Sequence, residues 1–240
     1  MEARQTGVTF TGGALASFGY SFLFLFLFLL ILPGAWGAVP FAVWWTANLA
    51  FDDGTQAEFT GRAADVWVLF AVLALLAWLP GIAAVVGGKS DKSNLMQFVL
   101  AVALFPLDAA VKLALYRWFF GNVRLTPGGS PHFTATYLGY LGWIVLLGLS
   151  FLTIIGWAWA AVAMVRWFCR HIESDAYSVN FVGTGWGLLW RSFVWLLGTV
   201  CIIPIPWVYR SMFAWGAGNL VLTHTAPAAV EDDFPVAGTA

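Results

Sequence analysis

The chain has 240 residues, of which 61% are hydrophobic and only 10% charged. So little charge cannot coat a soluble domain of this size, and a net charge of −1 offers no basic stripe to a nucleic acid. The 15 Trp, 21 Phe and 25 Gly are the mix expected of membrane helices with aromatic interface belts, and the length suffices for roughly six to eight crossings.

The first apolar run, GALASFGYSFLFLFLFLLIL at 13–32, has the look of a secretory segment, and PGAWGA after it resembles a cleavage site. Its basic flank is only Arg4, however, and the run is too long for a signal h-region. A retained transmembrane helix is expected. It is preceded by Phe10 in FTGG and followed, past Pro33-Gly34, by Trp44 and Asn48.

That arrangement returns along the chain. Phe59 in FTGR leads to Trp118 and Asn122, Phe133 in FTAT to Trp167 and His171, and Phe181 in FVGT to Trp215 and Asn219. Phe to Trp is 34 residues in the first, third and fourth copies, and 59 in the second, an insertion of 25. Gly12, Gly61 and Gly183, with Ala135 in the third copy, stand two after the opening Phe. Trp36, Trp159 and Trp207, with Ala110 in the second copy, stand eight before the marker Trp. One domain of four repeats follows, at approximately 8–51, 57–125 (with the insertion near 82–106), 131–172 and 179–222.

In each repeat a Thr or Gly able to cap a helix precedes about 18–20 apolar residues. Then come a breaker (Pro33-Gly34, Gly156, or Pro204 with Pro206) and a shorter apolar stretch ending near the marker Trp. Residues 137–169 are almost wholly apolar, and as one straight helix would be about 50 Å long. That overshoots the bilayer core of about 30 Å, so a hairpin is expected, with Trp36, Trp159 and Trp207 at headgroup level. The short second halves either cross as tilted helices or lie in the interface; crossing is the expectation. The junctions NLAFDDGTQAEFTG, NVRLTPGGSPHFTA and HIESDAYSVNFVGT each read as strand, turn, strand. The expected fold is therefore an all-α polytopic membrane protein of four tandem helical hairpins, about eight membrane helices or else six, with short β-hairpin junctions on one face.

Arg4, Arg62, Arg124 and Arg170 lie at the N-terminus and junctions, against Lys89 and Lys92 at the turns, which puts the junctions and both termini in the cytoplasm. The tail after Thr223 is expected to be flexible. The polar insertion GGKSDKSN at 87–94, found in one copy, reads as a contact surface or a loop.

Residues 181–222 resemble the YjgN-like family of bacterial inner-membrane proteins. The matching positions are Phe181, Gly183, Thr184, Gly185, Pro206, Trp207, Arg210, Trp215 and Asn219, and GNVRLTPGGSPHFTA of the second junction is similar too. The resemblance implies a bacterial inner-membrane location and no catalytic residue.

Catalytic and metal chemistry find no foothold. Three scattered His form no HxxxH pair, and Cys169 and Cys201 have no CxxC partner, so no metal site, cofactor or disulfide is expected, and the Cys are read as packing residues. No Walker or dinucleotide fingerprint and no serine elbow is present, and no enzymatic activity is expected. The intramembrane polar candidates are Asp108 and Lys112, four apart on one helix face, and Arg210. Repeat arithmetic puts Asp108 level with Gly34, near the turn, which favours a structural ion pair. Arg210 is expected to bond carbonyls at the Pro204–Pro206 break. The expected function is a non-enzymatic accessory or scaffold subunit in the lipid bilayer, packing against other membrane proteins. The alternative is a small-solute transporter or channel using these polar groups.

Overall fold

The computed structural model describes residues 5–88, 91–174 and 176–224, with the backbone alone at 91–93. The polar centre of the 87–94 insertion and most of the tail lie outside the described residues. Among those described there are eight α-helices, as expected, and eight strands.

Each copy is a strand, two helices and a strand. The first holds β1 (Gln5–Phe10), α1 (Ala14–Leu29), α2 (Gly34–Ala47) and β2 (Leu49–Phe51). The second holds β3 (Gln56–Phe59), α3 (Ala63–Val86), α4 (Asp91–Gly121) and β4 (Val123–Thr126). The third has β5 (His132–Phe133), α5 (Tyr137–Ser150), a 3₁₀ turn at Phe151–Thr153, α6 (Trp157–Arg170) and β6 (Ile172–Glu173). The fourth has β7 (Tyr177–Phe181), α7 (Gly185–Val200), α8 (Ile205–Gly218) and β8 (Leu220–His224).

The strands correct the junction reading. Only β6 and β7 pair across their own junction. Otherwise the opening strand of a copy pairs antiparallel with that copy's closing strand: Phe10 stands opposite Leu49, Phe59 opposite Val123, Phe133 opposite Ile172 and Phe181 opposite Leu220. In every case the partner is the fifth residue after the marker Trp. The turn signals DDG and PGG do bend the chain, but the partner strand arrives with the returning helix. The sheet order is β2-β1-β8-β7-β6-β5, with β3-β4 a separate pair. Consecutive helices pack in chain order and α8 packs back on α1, while β8 pairs with β1. The four copies therefore close into a ring.

Helix length corrects the expected crossings. Six helices have 14–16 residues, about 21–24 Å, short of the bilayer core of about 30 Å. Only α3, with 24 residues, and α4, with 31, are long and apolar enough to cross a membrane. The second copy's extra length is carried by its helices: α3 is 8 residues longer than α1 and α4 is 17 longer than α2. The second helices also lean toward the next copy. Ala35 and Ala38, from the early turns of α2, pack on Val66 and Phe70 in the first turns of α3. Trp159 likewise covers Gly185, so it lies against the start of α7 rather than standing free beside its own turn.

The three short hairpins turn in one way. Ile31, Ile154 and Ile202, each thirteen before its marker Trp, have φ of 69°, 62° and 61°. With ψ of −49° at Ile154 and a hydrogen bond spanning the Ile in each case, this is the strained γ-turn, which costs a β-branched residue about 1–3 kcal/mol. The conformation satisfies amides internally: Leu32, Ile155 and Ile203 N–H donate to the carbonyls of Leu30, Thr153 and Cys201. Pro33 and Pro204 remove the next N–H, and in the third copy the Thr153 hydroxyl accepts from Gly156 N–H at 3.0 Å instead. Around these turns Leu30, Leu152, Ile154, Ile202 and Ile203 are exposed, as is Cys201, which is therefore not a core residue.

Candidate functional site

The marker residues hold each copy closed at its strand end. Asn48, Asn122 and Asn219 Nδ2 donate to the carbonyls of Trp44, Trp118 and Trp215 at 2.7–2.8 Å, capping the second helix. His171 Nδ1 makes the same bond to Trp167 at 2.8 Å, which requires a proton on that nitrogen. The carbonyls of Asn48, Asn122, His171 and Asn219 accept from the N–H after each opening Phe: Thr11, Thr60, Thr134 and Val182. Phe10, Phe59 and Phe181 meet Trp44, Trp118 and Trp215 edge-on at 5.3–5.7 Å.

The small residue in the next column follows from this geometry. A Cβ on Gly12 or Gly61 would stand 2.4 or 2.6 Å from the Phe10 or Phe59 ring, and 3.0 or 2.8 Å from Trp44 or Trp118. Ala135 fits the third copy because Phe133 stacks on Phe168 at 4.3 Å instead, and Gly139 makes room for Trp167.

Three arginines then tie copy to copy through that same column. Arg117 donates to the Ala135 carbonyl at 2.9 Å, Arg166 to those of Gly183 at 2.7 Å and Phe181 at 3.3 Å, and Arg210 to Gly12 at 3.0 Å. Arg210 thus bonds the first copy and not the proline break in its own hairpin. Asp108 and Lys112 form an ion pair at 2.7 Å. They do not lie near their own turn, because α4 runs unbroken from Asp91 and carries Asp108 about 25 Å away from it. Arg210, engaged with Gly12, makes no bond to the Asp108–Lys112 pair.

What the four copies do line together is a half-open cavity of about 400 Å³. Seven of the eight strands line it, and four of them do so with alternate residues, as a pleated strand must: Leu49 and Phe51, Val123 and Leu125, Tyr177 and Val179, Leu220 and Leu222. Trp45, Phe119 and Phe168 supply rings from α2, α4 and α6. These three occupy one column, directly after the marker Trp, and the fourth copy has Gly216 there. Nothing lies within 4 Å of where a Gly216 Cβ would stand. Sequence reading missed the cavity, because no single motif marks a void; the one available signal is the aromatic column broken at Gly216.

It also missed a polar cluster at the strand end. Asp53 accepts from Thr6 Oγ1 at 3.1 Å and Thr55 N–H at 3.0 Å, and lies 3.0 Å from His224 Nε2. Tyr177, against His224, donates to the Pro127 carbonyl at 2.8 Å. Thr223 and His224 therefore belong to β8, not to a free tail. Burial pushes the Asp53 carboxyl up, but donors from Thr55, Thr6 and His224 win and hold it at about 2. Segments from the first, second and fourth copies meet here, which makes the cluster a clamp.

No group of three or more His, Cys, Asp or Glu able to hold a metal occurs among the described residues. No protein family, curated protein or solved structure matches this chain.

Proposed function

We propose that this chain is a multi-pass scaffold subunit of the bacterial inner membrane, without enzymatic activity, that packs against other membrane proteins. The observation that carries this is the outward face of α7. Trp186, Trp190 and Phe193 are 68%, 65% and 61% exposed, and Leu197 continues the stripe. Spaced at i, i+4, i+7 and i+11, they run most of the helix length, whereas a lipid-interface belt keeps its tryptophans at one depth. Arg117, Arg166 and Arg210 are meanwhile committed to carbonyls, and Asp108 and Lys112 to each other. Their engagement, and an apolar cavity between the copies, do not favour the alternative of ion or solute transport.

In this reading α3 and α4 cross the bilayer, and the three short hairpins dip in from the cytoplasmic strand face without crossing. Their turns suit hydrocarbon, since irregular backbone survives there only where its polar groups are satisfied.

A photo-cross-linking residue at Trp190 in native membranes should give one discrete protein adduct. The same residue at Leu152, on a hairpin tip, should react only with lipid. Lipid-only reaction at Trp190 would remove the scaffold reading.

A further inference from the structure

We infer that the shared cavity is a binding site for a single hydrocarbon chain, the tail of a fatty acid or of a membrane phospholipid. This stands independently of the scaffold reading. An apolar cavity stays dry and takes apolar ligands, and at about 400 Å³ this one lies within the range of small-molecule sites. Taking a methylene as similar in room to water's share of about 30 Å³, it accepts a chain of about a dozen carbons.

The polar end of such a molecule needs an exit, and the strand ring has one. β2 and β3 follow each other in the chain but do not pair, and a second cleft of about 560 Å³ lies beside them. Leu49, Phe51 and Ala57 line both the cavity and this cleft. The cleft itself carries Thr55, Gln56, Glu58 and Thr126, polar groups suited to a headgroup. The tail enters past Ala57 and lies among Trp45, Phe119, Phe168 and Leu222.

The test is labelling of the full chain with a myristate analogue carrying a diazirine at its chain end, and in a parallel arm with vesicles of phosphatidylcholine bearing the same tail. Adducts are expected on peptides containing Phe119, Phe168 and Leu222. Which arm labels tells whether the source is the free acid or the phospholipid. Ala57→Phe, which narrows the entrance, and Val179→Phe, which fills the cavity from its wall, should each lower cavity labelling at least tenfold and leave labelling of α7 unchanged. Wild-type adducts confined to outward helix faces in both arms would overturn the inference. So would undiminished cavity labelling in both variants where far-ultraviolet circular dichroism matches wild type. Should both variants misfold, the wild-type map alone decides.

Discussion

Arg210, in the last helix, donates its Nε–H to the carbonyl of Gly12, just ahead of the first helix, over 3.0 Å. Arg166 makes the corresponding tie from the third copy to the fourth, and Arg117 from the second to the third. The last copy thus treats the first as its next neighbour, and the tandem array becomes a ring with an inside.

Removing Arg210 should loosen that closure. A hydrogen bond from a charged donor is worth about 1.5–3 kcal/mol when buried and less when partly solvated, so Arg210→Gln is expected to cost about 1 kcal/mol. Arg191→Gln is the control, because Arg191 donates to Gly187 of its own helix and lies over the Trp215 ring of the same copy, with no tie to another copy. Thermal unfolding in one detergent should separate the two; equal midpoints would remove the closing role.

Adding one methyl at the glycine column should cost more. Gly61→Ala puts a Cβ 2.6 Å from the Phe59 ring with Trp118 behind it, and overpacking of this kind costs about 1–3 kcal/mol. The third copy predicts the contrast: Ala135→Gly should lower the midpoint far less than Gly61→Ala does.

The Asp53 clamp gives an acid dependence with a definite sign. Its folded-state value of about 2 lies below the ordinary 3.8, so its stabilisation is complete above about pH 4 and is lost as pH falls from 3.8 toward 2. The loss amounts to about 2 kcal/mol at most. Asp53→Asn should be less stable than wild type at pH 6 and should lose most of the difference at pH 2.5. A constant difference between the two proteins across that range would contradict the assignment.

Glycine should relieve the hairpin tips. Ile202 sits at φ 61°, a conformation open to glycine without penalty, so Ile202→Gly is expected to stabilise by about 0.5–1 kcal/mol. Ile203→Gly, one residue on and outside the left-handed region, should destabilise slightly. A lower midpoint for Ile202→Gly than for Ile203→Gly would show that the tip is held by something other than its backbone.

The spacing of Phe, Gly, Trp and Asn is visible in the chain, because each is needed for one local job: an inward ring, a gap, an edge-on partner and a helix cap. What escaped reading were relations between copies. Arg210 looked like a ligand for its own proline break, and Asp108 looked close to a turn, because arithmetic on a 34-residue spacing cannot tell where 25 inserted residues go. The structure divides them between α3 and α4, which moves the ion pair to the middle of a long helix. Asp53 and His224 are 171 residues apart, and no local pattern joins them.

By itself the sequence determined an apolar body, eight helices, their breakpoints and the repeat that sets them, since these depend on composition and on contacts within a turn or two. Only the tertiary structure decided which strands pair, that six helices are too short to cross a bilayer, and that the ends meet. The pairings join strands separated by a whole helical hairpin within one copy or, for β1 and β8, by nearly the whole described chain. The shared cavity is the clearest case: its walls come from all four copies, so it exists only once the ring has closed.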